Sequence, residues 1–217
     1  SPINVNEILI KGKEFAKSVV APDGSINVAK VKEEAKKAFK KLPARMLGVD
    51  LKDLKEGRVK EEYAYDIAKY VEPSIEMLNK VHAILDSYAK SPQGIINLLE
   101  MTNNMLKGVP NLDQANIDAA DKALNVVKKH KDVLQPIVNE IAKYVDTVNK
   151  FLKNKVKPLA NKLLNGELKP QGFINLLSDA IEAKVGSLSF SKEQLAAIEK
   201  LNKFITDNAK EIQDLLK

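Results

Sequence analysis

A chain of 217 residues, 44% of them hydrophobic and 29% charged, is long enough to bury one large core or two small ones. It has no cysteine, which excludes disulfides, thiolate metal sites and a cysteine nucleophile, and no run approaches the roughly 18 apolar residues of a membrane-spanning helix. The net charge is +6, yet all but two of the 35 basic residues are lysines, which favours diffuse attraction to an anionic surface over the bidentate base readout of arginine.

Apolar residues recur at intervals of three and four along the chain, and no stretch alternates convincingly with period two, so helices are expected throughout. The first spans Asn6 to Val20 and ends at the turn Ala21-Pro22-Asp23-Gly24. A second runs from Asn27 to Leu42 and stops before Pro43, because a residue preceding proline is pushed out of the helical region. A long helix over Leu51 to Lys90, bent at Pro73, comes next. Ser91-Pro92-Gln93-Gly94 reads either as a type I turn or as an N-cap serine and first-turn proline opening a helix that ends at Gly108. Further helices are expected over Gln114 to Leu134, Pro136 to Leu164, Gln171 to Val185 and Lys192 to Leu216. The fold class that follows is all-α, a multi-helix bundle.

Two motifs occur twice. "PQGIINLL" at Pro92 to Leu99 returns as "PQGFINLL" at Pro170 to Leu177, and "IAKYVE" at Ile67 to Glu72 returns as "IAKYVD" at Ile141 to Asp146. The offsets are 78 and 74 residues, and a difference of four is about one helical turn, so the apolar face survives it. An internal duplication of about 75–78 residues is therefore expected. The corresponding organisation is an N-terminal helical segment over 1–46 and repeats over 47–133 and 134–217, packed as one unit. Ser191 to Gln194 spells a capping box, with Phe190 and Leu195 placed for a hydrophobic staple; Leu112, Asp113 and Ile117 hold the same places in the earlier copy.

Catalytic chemistry has little to draw on. The only histidines are His82 and His130; neither has a glutamate three residues before it, and His130 lies among lysines. No glycine-rich phosphate loop is present. The reading is non-enzymatic, with no cofactor and no metal. Asn97 and Asn175 recur within the paired motif and read as buried amides bonded across helices. Gly94 and Gly172 read as turn geometry or close backbone approach.

Charge offers the candidate site. Lys36, Lys37, Lys40, Lys41 and Arg45 form one acid-free block, and Lys150, Lys153, Lys155, Lys157 and Lys162 another. Helical spacing places Lys150, Lys153 and Lys157 on one face. These blocks are expected to dock on an anionic surface such as a sialylated glycoprotein or acidic lipid headgroups. Without interleaved aromatics or arginines, nucleic acid is a poor partner.

The lysine-rich "KEEAKKAFKKL" and "NKFLKNKVKPLANKLLNG" stretches, with the "IAKYV" and "PQGxINLL" pairs, resemble the merozoite surface adhesins of piroplasm (Babesia) parasites. That resemblance implies a cell-surface antigen, GPI-anchored in its full-length precursor, that contacts the host erythrocyte. An alternative reading is a helical carrier of fatty acids or other lipids, with an apolar cavity between the repeats.

Overall fold

The computed structural model describes residues 28–129, 131–187 and 191–207, together with Glu14 and Ser18; the rest of the expected first helix and the whole Ala21 to Gly24 turn lie outside them. Among the described residues the chain is all-α, with no strand. The helices are α1 (Val28–Arg45), α2 (Leu51–Lys55), α3 (Ala64–Tyr88), α4 (Pro92–Lys107), α5 (Gln114–Lys129), α6 (Lys131–Phe151), α7 (Lys157–Leu164), α8 (Pro170–Ser187) and α9 (Lys192–Asp207). A 3-10 turn over Glu61–Tyr63 leads into α3, and a π turn over Leu152–Val156 joins α6 to α7 without a break. No helix of the described residues is long and apolar enough to cross a membrane.

Local chemistry sets most boundaries. Ser91 accepts a hydrogen bond from the Gly94 backbone N–H at 3.1 Å, so the N-cap alternative holds at the start of α4. The capping box of α9 is complete: the Gln194 N–H donates to Ser191 Oγ at 3.1 Å and the Ser191 N–H donates to Gln194 Oε1 at 3.0 Å. At α5 only half of the device is present, because Asp113 accepts from the Ala115 N–H and position 116 is an asparagine whose N–H goes to the Asp113 backbone carbonyl. Phe190 lies outside the described residues, and Leu195 is 45% exposed.

Three sequence expectations need correction. The stretch from Leu51 to Lys90 is two helices, since Gly57 takes a positive φ of 68° and ends α2 in a Schellman motif: its N–H bonds to the Leu54 carbonyl and that of Arg58 to Asp53. The break expected before Pro136 is absent: α6 runs through Pro136, which removes only the bond to the Asp132 carbonyl, and His130 lies outside the described residues. And α1 continues through Pro43 to Arg45. Pro43 cannot donate to the Phe39 carbonyl four residues back, and the Tyr144 hydroxyl donates to that carbonyl instead. The two rings meet edge to face with centroids 4.6 Å apart.

The described residues form two compact units, each discontinuous in sequence. One takes those up to Glu34, from Leu85 to Glu140 and from Ser191 on; the other takes Ala35 to Ile84 and Ile141 to Ser187. In the first, Ala89, Ile95, Ile96, Ile137 and Ala197 are buried, and Asn103 donates from α4 to Asp121 on α5. The second has a deep core. Leu47, Val71, Val148, Leu152, Val156, Leu163, Phe173, Ile174, Leu177 and Ile181 are each 2% exposed or less. There α3 and the α6–α7 run are tied by Asn149 and Lys153, which both donate to Asn79 Oδ1. The Ser74 hydroxyl donates to the Met46 carbonyl at 2.6 Å and holds the end of α1 against α3.

The paired motifs have comparable local structure in one case and different surroundings in the other. Pro92 and Pro170 both open helices, Ile95 and Phe173 are both fully buried, and so are Ile96 and Ile174 to within 5%. The "IAKYV" copies are both helical but present different faces: Ile67 is 3% exposed and Tyr70 42%, whereas Ile141 is 39% exposed and Tyr144 7%. Asn97 and Asn175 are exposed, not buried; each accepts from the glutamine four residues earlier, Gln93 and Gln171, at 3.1 and 3.0 Å. The repeated asparagine serves its own helix surface.

The repeated glycines also diverge. A Cβ on Gly94 would run into the Tyr88 backbone carbonyl oxygen, while one on Gly172 would meet only Leu168 Cδ1, at 3.2 Å. Backbone cannot yield as a leucine methyl can. Gly94→Ala is therefore expected to destabilise by about 1–3 kcal/mol, as overpacking does. Gly172→Ala should stay within about 1 kcal/mol of wild type, since alanine's better helix propensity offsets the contact. Urea unfolding of the two variants checks the contrast, and equal losses would refute it.

Candidate basic surface

On α1, Lys36, Lys37, Lys40, Lys41 and Arg45 are all exposed. At 3.6 residues per turn the four lysines fan over an arc of about 140°.

The second block is divided by its neighbours. Lys150 pairs with Asp146 one turn earlier at 2.8 Å; Lys153 donates to Asn79 on α3 at 3.1 Å; Lys157 pairs with Glu72, also on α3, at 2.9 Å. Lys153 and Lys157 do share a direction, but it is toward α3. The hydrogen bond from Lys150 lowers the Asp146 carboxyl below the ordinary aspartate value, and the charges of Lys150, His82 and Lys153 add to it. Such exposed pairs are worth little in stability, but they lower the net positive charge of that face. A block that is acid-free in sequence is not acid-free in space.

Lys155 and Lys162 stand apart from this, exposed and without an ion-pair partner among the described residues. The direction of Lys155 follows from Pro158. Having no N–H, proline cannot donate to the Asn154 carbonyl, and the helix widens into the π turn over Leu152–Val156 just before it. Leu152 and Val156 stay buried, while Lys153, Asn154 and Lys155 are carried outward.

Asn154 and Lys155 then line an open groove of about 600 Å³ between the α6–π run and the C-terminal half of α8. Phe151 and the small side chains of Ala180 and Ala183 supply its apolar surface; Lys150, Lys155 and Lys184 supply its charge. Lys184 belongs to neither sequence block. It stands alone in the last turn of α8, and only the packing of that helix against the π turn makes it a neighbour of Lys155. The groove lies within residues 147–187, so it is not the cavity between repeats of the carrier reading.

No family model, curated protein or solved structure matches the chain. Among the described residues no group of histidine, aspartate or glutamate side chains is placed to hold a metal ion.

Proposed function

We propose that this is a non-enzymatic cell-surface adhesion protein that engages an anionic component of the host red-cell surface through basic helical faces. The observation that carries the reading is the set of exposed lysines, Lys40 and Lys41 on α1, Lys155 on the π turn and Lys162 on α7, whose charge no ion pair among the described residues offsets. The red cell as target, and the GPI anchor of the full-length precursor, rest on the resemblance to piroplasm merozoite adhesins.

Each lysine close to an anionic surface contributes about 1 kcal/mol of attraction. Reversing Lys40, Lys41, Lys155 and Lys162 to glutamate together is therefore expected to weaken red-cell binding by about a hundredfold or more. Raising salt from about 0.1 to 1 M, which shortens the screening length from about 10 to 3 Å, should weaken the wild type in the same way. Attachment of the quadruple variant at wild-type strength would reject this surface.

A further inference from the structure

We propose that the groove between α6 and α8 binds an amphipathic anion, a single acyl chain ending in a carboxylate. This goes beyond the adhesion reading and does not rest on it.

Three features converge on that chemistry. The volume, about 600 Å³, falls in the range of small-molecule sites. The apolar part is formed by Phe151 with two alanines opposite it, and the uncharged polar side chains of the lining are Thr147, Asn154 and Ser187. Phe151 is 5% exposed and so fixed in place, and the two alanines with the lysine methylene stems supply most of the apolar contact. The polar part is cationic: no acidic side chain lines the groove, and Lys155 and Lys184 have no ion-pair partner among the described residues. Lys150 is held by Asp146, so Lys155 and Lys184 are the ones left to take a carboxylate, while their methylene stems extend the apolar wall.

The end of α8 works against an anion through its exposed carbonyls, and that is partly relieved: the Ser187 hydroxyl donates to the Lys184 carbonyl at 2.8 Å. Asn154 adds an amide that can donate beside the lysines. A phosphate-binding reading has less support, because both arginines, Arg45 and Arg58, are absent from the lining.

The test is calorimetric titration of the whole chain with laurate below its micellar concentration, with 1-dodecanol, acetate and a polyglutamate peptide in parallel. Laurate should bind, 1-dodecanol at least tenfold more weakly, and acetate not measurably. Lys155→Glu with Lys184→Glu should weaken laurate at least tenfold while leaving 1-dodecanol unchanged. Ala183 is exposed, so Ala183→Trp fills the groove without entering the core and should abolish laurate binding; Ala183→Leu serves if circular dichroism shows the tryptophan variant unfolded. Absence of laurate binding, equal binding of 1-dodecanol, or laurate binding unchanged in the groove-filling variant would each overturn the proposal. Binding of polyglutamate alone would overturn it in favour of an acidic protein partner. None of these outcomes depends on whether the chain attaches to red cells.

Discussion

Replacing Phe173 by alanine is expected to lower stability by about 3–5 kcal/mol, the range for removing a buried aromatic ring. The ring is fully buried at the first turn of α8, the helix that packs on α2, on α7 and on the π turn. Neighbouring side chains cannot close the void without moving several helices, so the cavity penalty adds to the lost transfer energy. Leu176, three residues on, is 43% exposed, and Leu176→Ala should cost less than about 1 kcal/mol. Urea unfolding with an unchanged slope gives both numbers. Similar losses at the two positions would mean that α8 does not bury the face described here.

Removing one hydroxyl should reveal how the chain tolerates a proline inside α1. Tyr144→Phe keeps the edge-to-face contact with Phe39 but leaves the Phe39 carbonyl without the donor that replaces the missing N–H of Pro43, and the expected loss is about 1–3 kcal/mol. Reinstating an N–H through Pro43→Ala in the same chain should recover part of it, whereas an additive or larger loss would reject the pairing of the two residues.

The same hydroxyl has a pH signature. Burial pushes Tyr144 up to about 12, from about 10 in an unfolded chain. The folded state therefore keeps its proton after the unfolded state has lost it. The stabilisation is complete below pH 10 and declines as pH rises from about 10 to about 12. Unfolding measured at pH 9 and at pH 11.5 should show a drop for the wild type that is smaller for Tyr144→Phe; an identical drop in both would assign it to other groups.

Helix type and many helix ends were legible because they are decided within a turn or two of chain. Ser191 and Gln194 are three residues apart and meet each other wherever the helix goes, and Ser91 reaches the Gly94 N–H for the same reason. Gly57 is a local signal too, but it was hidden inside a long apolar periodicity that reads equally well as one helix or two. Pro43 is different in kind: whether it ends a helix depends on a donor 101 residues away, and only packing brings Tyr144 to the orphaned carbonyl.

What the linear order of residues determined by itself is an all-α chain with lysine-rich helix faces, since the spacing of apolar and basic side chains is a property of each helix alone. The tertiary structure decided which lysines keep their charge unopposed. Glu72 and Asn79 come from α3 to Lys157 and Lys153, while Lys184 joins Lys155 across a groove opened by the π turn. Coulomb attraction and hydrogen bonding act over a few ångströms of space, and neighbours at that range are set by how helices pack, not by their distance along the chain.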